Sequence, residues 1–390
     1  MAKNNHNKKK DYFKENLHNI ITDKNFISPD AKFTMLRLGL KNYFGTFKPF
    51  NKTGRFCYFE EKVDKNSVSG TFEGQDKDSL TIAIDHDFIT TAYSSIIFIH
   101  LFFEHYLNHI LYKINPILLY GKLNKEIDLV NAIANKWDKI PQNSDKTIDF
   151  GHKLTRLLSL IENDSIISNE FKVHTKYHFI LNFKDALEQL SYQRNEIIHL
   201  GDKILARYAY ELLMINYVIP IINKVFEIEE NTLALNRKTH CNVNVIKELS
   251  DIRLEESPFD NPNLANNRLK KINHLKELGR ASLENPLQMF EAGGDINCRN
   301  RIEEKINKPL RDLAICEAWL RITSGKGHKI RTCPCCGTVS LLTFGISRYS
   351  DNSLSVEMAK CFLCSYSINK DIGEPNEFGI QCEQLFEEIK

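Results

Sequence analysis

The chain has 390 residues, of which 42% are hydrophobic and 26% are charged, a composition typical of a folded globular protein with two or three domains. Its 52 lysine and arginine residues nearly balance 50 aspartate and glutamate residues, which gives a formal net charge of +2. This balance excludes a nucleic-acid binder that relies on positive charge over its whole surface, so any phosphate-binding surface must be local.

The sequence predicts a cytoplasmic protein without a membrane span. Residues 1–10 are polar and contain no apolar segment of the kind found in secretory signals. The most apolar stretch, residues 96–111, is interrupted by His100, Glu104 and His105. Because polar side chains interrupt it so often, this stretch predicts a buried helix and not a membrane-spanning one.

The first 86 residues predict a small α+β module behind a disordered basic tail. Helical apolar spacing comes first, and three runs of strand-like composition follow it, separated by turn-forming residues. The predicted helices span residues 11–21 and 30–44, and the predicted strands span residues 55–63, 67–73 and 80–84. This module, residues 1–86, carries no recognisable catalytic motif.

The pattern becomes helical from residue 87, and the fold class is therefore predicted to be mainly α. Apolar residues recur at helical spacing through residues 87–230, which predicts a helical domain. Its helices are predicted at residues 87–113, 124–138, 148–162, 174–199 and 203–228. Pro220 is expected to kink the last of these helices. Residues 231–325 predict a linker and a helical segment, with helices at 264–292 and 299–322.

Two Cys-x-x-Cys pairs lie near the end of the chain, Cys333 with Cys336 and Cys361 with Cys364. Without an export signal, such pairs favour metal binding over disulfides. Each pair places two thiolates on one tight turn, and two facing turns form a tetrahedral four-cysteine site for one structural zinc ion per chain. Cys335 lies inside the first pair and is not expected to be a ligand.

The residues between the two pairs have the layout of a small metal-binding fold. Residues 339–346 and 354–359 are strand-like, and together with the cysteine turns they resemble a zinc ribbon. Residues 326–390 are therefore predicted to form a ribbon followed by a short acidic helix. The ribbon is either purely structural or a nucleic-acid contact. In the second case the binding residues would be Lys329, Arg331, Arg348 and Lys360.

A second candidate site is centred on Arg194, which follows Leu187 and Leu190 on the apolar stripe of a predicted helix. A charge on such a stripe is costly unless it is paired or faces a cleft. Glu104 lies on the apolar face of the predicted helix at residues 87–113. The two patterns together predict a buried ion pair that fixes the arginine side chain.

Asn195 and His199 are four residues apart and share the polar face beside Arg194. These residue types suit RNA cleavage, in which the 2′-hydroxyl attacks its own phosphodiester without a metal ion. His199 can transfer protons near neutral pH, and Arg194 can stabilise charge on phosphate. Asn195 can donate a hydrogen bond to the phosphate or orient the histidine. Because five residues rotate by about 140° on a helix, a site shared between two protomers is predicted.

The pattern Arg-Asn-x-x-x-His, late in a long helix of an all-helical region, resembles the HEPN superfamily of ribonucleases. The resemblance covers residues 87–228 and implies a helical bundle that dimerises, with Arg194 and His199 in the cleft between protomers. It implies metal-independent endoribonuclease activity that leaves 2′,3′-cyclic phosphate ends. It also implies that Asn195 is the supporting polar residue and Glu104 the acidic support of the arginine. Residues 114–147 resemble an insertion relative to compact family members.

The resemblance leaves two functions open. One is an RNA-cleaving enzyme of prokaryotic antiphage defence (abortive infection) or of a toxin-type system, held inactive by a trigger or regulatory partner. The alternative is a non-catalytic nucleic-acid-binding or regulatory protein that uses the ribbon for binding and the helical domain for dimerisation. A metal site at His100, His105 and His109 is not favoured, because their order does not match the His-Glu-x-x-His pattern.

Overall fold

The computed structural model shows a mainly helical chain with one small antiparallel sheet. It describes residues 31–47, 79–119, 148–169, 171–199, 207–229, 239–255, 260–287, 300, 302–325, 327–347, 354–386 and 388–389. The helices predicted at residues 11–21 and 124–138 and the strands predicted at residues 55–63 and 67–73 lie outside these residues.

Nine α-helices make up most of the described residues. They are α1 (Ala31–Gly45), α2 (Ser79–Ile114), α3 (Phe150–Glu162), α4 (Lys184–His199), α5 (Arg207–Leu213), α6 (Ile219–Ile228), α7 (Val245–Ser250), α8 (Pro262–Glu284) and α9 (Lys308–Thr323). Three of them begin at a polar cap, because the side chains of Asp149, Asn244 and Asn261 accept hydrogen bonds from backbone amides of the first turn of α3, α7 and α8.

Two helical segments change their hydrogen-bond pattern just before a proline. The π-helical turn Met214–Val218 joins α5 to α6, and Pro220 follows it. The π-helical turn Glu303–Asn307 leads into α9, where Pro309 occupies the same place. Proline has no amide hydrogen and cannot donate within a regular helix, so the wider turn accommodates it. The predicted continuous helix at residues 203–228 is therefore interrupted at this turn.

Helix α1 packs against α2 and α8, although its sequence places it in the predicted N-terminal module. Two glycines allow the close approach. A Cβ atom at Gly39 would lie 2.5 Å from Cγ1 of Ile99, and one at Gly279 would lie 2.7 Å from ring atoms of Phe44. Larger residues at either position would force these helices apart.

A buried ion pair ties α1, α5 and α8 together. Lys276 and Glu211 are both fully buried, and the Lys276 ammonium donates to the Glu211 carboxylate and to Oγ1 of Thr46 (2.8 Å). The hydroxyl of Tyr43 donates to the second oxygen of Glu211 at 3.3 Å. Burial lowers the pKa of Lys276, an effect that the neighbouring carboxylate opposes. These hydrogen bonds compensate for part of the cost of burying two charges.

The strands of the sheet are β1 (Ile330–Arg331), β2 (Leu341–Ser347), β3 (Leu354–Cys361), β4 (Ser367–Asn369) and β5 (Glu388–Ile389). Strands β2 and β3 connect the two cysteine pairs, as predicted, whereas β1 precedes the first pair and β4 and β5 follow the second. The order is β1-β2-β3-β4, every pair is antiparallel, and β5 pairs with the start of β3. Leu341 stands opposite Cys361, so the register brings the end of β3 next to the first cysteine turn.

Two secondary-structure predictions are wrong. Residues 80–84 are not a strand, because they form the first turns of α2; a short apolar run does not distinguish the two states by itself. The predicted acidic helix at the end of the chain is replaced, among the described residues, by a 3₁₀ turn at Pro375–Phe378 and by β5. There the Glu374 carboxylate accepts hydrogen bonds from the amides of Leu385 (2.9 Å) and Phe386 (2.5 Å), which holds the backbone in a non-helical path.

The predicted helix at residues 174–199 begins as a 3₁₀ segment, Thr175–Phe183, which leads into α4. The apolar stretch at residues 96–111 forms part of α2, and its residues Ile96, Ile99 and Phe102 are fully buried in the helical core. None of the described helices has both the length and the apolar character needed to cross a membrane.

Candidate functional site

Four cysteines form a compact cluster, here called the thiol cage: Cys333, Cys336, Cys361 and Cys364. Their sulfur atoms all lie within 4.8 Å of one another, and the Cys333–Cys364 and Cys336–Cys361 sulfurs are 3.6 Å apart. Tetrahedral ligation with zinc–sulfur bonds of about 2.3 Å separates the sulfurs by about 3.8 Å. The cage could therefore hold a metal ion, and the prediction that these four residues lie together is confirmed.

Backbone and hydroxyl donors surround the cage as they do around thiolates. The amide of Leu363 donates to Sγ of Cys361 (3.4 Å), and the hydroxyl of Ser340 lies 3.3 Å from the same sulfur. Thiol hydrogen bonds from the other cage residues lower the pKa of Cys361, whereas burial raises that of Cys333. Gly337 closes the first turn with φ of 73°, a conformation that favours glycine. These two donors stabilise negative charge on the sulfur of Cys361, as hydrogen bonds to a metal-ligating thiolate do.

Cys335 is not one of the four cysteines of the cage. Its sulfur lies 3.9 Å from the carbonyl oxygen of Leu278 in α8, so this cysteine joins the ribbon to the helical core. Backbone amides of His240 and Cys241 donate to the carbonyls of Cys335 and Pro334, both at 2.9 Å. The prediction that Cys335 is not a ligand is consistent with this arrangement.

Helix α8 holds the second cysteine turn through a pair of opposite charges. Arg280 donates to both carboxylate oxygens of Glu277 and to the carboxylate of Glu284 (2.6 Å). It also donates to the carbonyl (2.6 Å) and the hydroxyl (3.1 Å) of Ser365. The Glu277 carboxylate also accepts from the amide of Ser367 at 2.6 Å. The ribbon is therefore anchored to the helical core beside Cys364, and the sequence contains no local signal for this contact.

The structure does not gather the predicted nucleic-acid-binding residues of the ribbon on one face. Across the sheet, Arg331 of β1 is opposite Leu341 of β2, which is opposite Cys361 of β3. Lys360, the residue before Cys361, is opposite Leu342. Because side chains alternate along a strand, Lys360 and Arg331 lie on opposite faces of the sheet. Arg331 also donates to the Glu383 carboxylate at 2.7 Å.

Of the other two predicted ribbon residues, Lys329 precedes β1, and its backbone is hydrogen-bonded to Thr343. Arg348 lies outside the described residues.

Helix α4 carries the second candidate site. Its Leu187 and Leu190 are buried, and Arg194, on the same stripe, is half-buried. The Arg194 guanidinium donates to the side-chain oxygen of Asn195 at 2.8 Å, while its Nε is buried without a hydrogen-bond partner. Asn195 and His199 are exposed, and His199 ends the helix. The exposed amide thus holds one edge of the arginine at the surface of α4.

The predicted ion pair between Glu104 and Arg194 is not formed. Glu104 instead accepts a hydrogen bond from the Lys153 ammonium of α3 at 2.8 Å, and the Lys153 side chain is almost fully buried. Burial by itself would raise the pKa of Glu104, but the hydrogen bond and the charge of Lys153 lower it below its ordinary value. Within the part of the chain that the structure describes, the Arg194 guanidinium has no carboxylate partner.

His100 occupies the space between these charged groups. Its imidazole is buried against the ring of Phe150 (centroids 4.5 Å apart), and neither ring nitrogen has a hydrogen-bond partner. Burial lowers the pKa of His100 to about 4; the charges of Arg194 and Lys153 act in the same direction, and Glu104 opposes them. His100 is therefore neutral at physiological pH, and the charges of Glu104 and Lys153 cancel beside it.

The role of Lys153 was not predicted from the sequence, although the sequence contains a signal for it. Lys153 lies three residues after Phe150 and four before Leu157, on the face of α3 that packs into the core. A lysine in that position needs a buried acid, just as Glu104 needs a buried base. Two cations, Lys153 and Arg194, were therefore possible partners of Glu104, and only packing decides between them.

Among the described residues, the thiol cage is the group of histidine, cysteine and acidic side chains close enough to hold a metal ion, and His100, His105 and His109 form no such group. No protein-family model matches the chain, and no curated protein or solved structure is significantly similar to it.

Proposed function

We propose that the protein is a metal-independent endoribonuclease of the HEPN type, with Arg194, Asn195 and His199 as its catalytic residues. The observation that supports this most directly is the state of Arg194. Its guanidinium is half-buried, held by Asn195 and without a carboxylate partner among the described residues. A positive charge in this setting is available to a phosphate, because no anion in the described part of the chain neutralises it.

The chemistry follows from these groups. The 2′-oxygen of a ribose attacks the adjacent phosphorus, the new P–O2′ bond forms, and the bond from phosphorus to the 5′ oxygen breaks. A histidine accepts the 2′-hydroxyl proton, and a second acid protonates the leaving 5′ oxygen. Arg194 stabilises the charge on the phosphorane oxygens. The products are a 2′,3′-cyclic phosphate and a free 5′-hydroxyl, and no metal ion takes part.

A second copy of the chain would supply the second acid. Arg194 is half-buried and His199 is exposed on α4, so the two side chains leave the helix in different directions. A two-fold axis beside α4 would place one His199 from each protomer at a shared cleft. We therefore propose a homodimer, and a strictly monomeric, fully active enzyme would contradict this arrangement.

The test of the activity is RNA cleavage in the presence of EDTA. Wild-type protein should produce cyclic phosphate ends, and His199→Ala should lose the activity by a factor of about 10² or more. His152→Ala is the matched control, because His152 is an exposed histidine on α3. Intact RNA after incubation with wild type, or equal cleavage by His199→Ala, would refute the proposal and favour a non-catalytic nucleic-acid-binding role.

For the thiol cage we propose a structural zinc ion, one per chain. Four buried or half-buried sulfurs at nearly tetrahedral spacing fit zinc and leave no open position for catalysis. Elemental analysis should find about one zinc per chain, and Cys361→Ser should lose the metal and unfold at a lower temperature. Cys316→Ser is the control, because Cys316 is an exposed cysteine of α9. A metal-free wild type that is fully folded would rule out this site.

For the biological role we propose an RNA-cleaving effector of prokaryotic antiphage defence or of a toxin-type system. The support is the resemblance of the Arg-Asn-x-x-x-His segment to HEPN ribonucleases and the exposed placement of His199. Induced expression in a bacterial host should arrest growth and degrade cellular RNA, and His199→Ala should do neither. Growth arrest by both proteins would show that toxicity does not depend on His199 and would contradict the proposed role.

A further inference from the structure

One exposed stripe of α4 contains more than the proposed catalytic residues. Glu188, Tyr192, Asn195 and His199 follow one another at intervals of four, three and four residues, so they line a single helix face. All four are exposed. We call this set the α4 stripe.

Tyr192 is the unusual member of the α4 stripe. Half of its surface (50%) is exposed, and in the described part of the chain its ring makes no aromatic contact and its hydroxyl no hydrogen bond. A large aromatic ring with a free face is a platform on which a planar group can stack. It lies one turn before Asn195, about 4.5 Å along the helix axis, and about 10 Å before His199.

Charge along the stripe orients any RNA strand that lies on it. Glu188 occupies one end and repels phosphate, whereas Asn195, one turn beyond Tyr192, holds the guanidinium of Arg194 from the neighbouring stripe. The phosphate therefore lies toward Arg194, and an uncharged part of the nucleotide lies over Tyr192. A nucleobase has the required flat, uncharged face, and such stacking is tolerant of sequence.

We infer that Tyr192 is a positioning residue that stacks on the nucleobase next to the scissile phosphate. This inference rests on the proposed function of Arg194 and His199. Stacking fixes the sugar that carries the attacking 2′-hydroxyl relative to the phosphate held by Arg194. The stacked base must leave its own helical stack, so an unpaired nucleotide is required at this position.

The experiment measures RNA binding separately from cleavage. His199→Ala protein, in which cleavage should be slower by a factor of about 10² or more, is titrated into a fluorescein-labelled single-stranded RNA, with and without a change at Tyr192, and binding is followed by anisotropy. Tyr192→Ala should raise the Kd by about 5- to 150-fold, which is the loss of affinity expected when one base no longer stacks on an aromatic ring. Tyr192→Phe keeps the ring and should stay within about twofold of the parent.

Tyr217→Ala is the matched control, because Tyr217 is also an exposed tyrosine (41%) but lies in the π-helical turn before α6. It should leave the Kd unchanged. Cleavage is then compared in the wild-type background, where Tyr192→Ala should slow the reaction on RNA with an unpaired target. The same RNA annealed into a duplex should be cut poorly by both proteins.

Four outcomes overturn the inference: no binding of RNA, unchanged affinity in Tyr192→Ala, an equal loss in Tyr192→Phe, or a loss that tracks a change from dimer to monomer. The third outcome would assign the effect to the hydroxyl, and the fourth would place Tyr192 in a contact between protomers. The proposed function fails separately. If Tyr192→Ala weakens RNA binding but wild type cuts no RNA, Tyr192 is an RNA-binding residue and the nuclease proposal fails. If wild type cuts RNA and Tyr192→Ala binds and cuts normally, the nuclease proposal stands and the inference fails.

Discussion

Acid should destabilise this protein through two histidines that the fold buries in the neutral state, His100 and His274. His274 of α8 is fully buried, its Nε2 donates to the carbonyl of Ile372 (3.1 Å), and burial lowers its pKa to about 4. His100 has the same shifted pKa. Because the folded pKa lies below the unfolded value of about 6.5, the unfolded chain binds the proton more tightly. The stabilising contribution is complete above pH 6.5 and is lost as the pH falls toward 4.

The size of the effect follows from these values. At pH 5 a histidine with a pKa of about 4 in the folded state and about 6.5 in the unfolded state lowers the free energy of unfolding by about 2 kcal/mol relative to pH 8. The two histidines together account for about 4 kcal/mol, a large share of the stability of an ordinary domain. Removing one of them should remove half of this acid sensitivity.

The assay is urea unfolding at pH 8 and pH 5 for wild type, His274→Gln and the control His152→Gln. Glutamine retains a donor that can reach Ile372 but does not titrate. The loss of unfolding free energy between the two pH values should be about 2 kcal/mol smaller in His274→Gln than in wild type. His152 is 73% exposed, and its replacement should leave the full acid loss in place. Protonation of the cage thiolates acts equally on all three proteins and cancels. An unchanged acid loss in His274→Gln would refute the reasoning.

Two further predictions concern the core and are measured by urea unfolding. Glu211→Gln should lower the free energy of unfolding by about 3–5 kcal/mol, because it leaves the buried Lys276 ammonium without its carboxylate. The double variant Glu211→Leu with Lys276→Met should recover most of that loss, and equal instability of the two variants would show that the pair is not coupled. Gly39→Val should cost about 1–3 kcal/mol, because its Cβ would lie 2.5 Å from Cγ1 of Ile99. Gly151→Ala, at an exposed position of α3 where the added Cβ would lie 3.6 Å from its nearest atom, should be neutral or stabilising. Similar effects at both glycines would contradict the packing of α1 on α2.

Short-range patterns in the sequence were sufficient for several features. The spacing of Cys333, Cys336, Cys361 and Cys364 identifies the thiol cage, since two residues between cysteines set the geometry of each turn. Apolar periodicity locates α1, α3, the start of α8 and the strands between the cysteine turns within a few residues. These features depend on residues close together in the chain, so local spacing carries the information.

Tertiary structure decided the features that depend on which elements meet. Glu104 had two possible cationic partners on different helices, and the packing of α3 against α2 selects Lys153. Arg194 instead donates its hydrogen bond to the exposed Asn195. The strand predicted at residues 80–84 extends α2 instead, because a short apolar run is compatible with either state. The attachment of the ribbon to α8 through Arg280 likewise has no local signature.

The sequence by itself therefore determined that the chain carries a four-cysteine cage and is mainly helical, because both features follow from the spacing of residues a few positions apart. Only the folded chain determined the environment of Arg194. A charge on an apolar stripe shows that either an oppositely charged partner or a cleft is needed. The choice between the two depends on the cost of desolvation and on the distances between helices that are far apart in sequence.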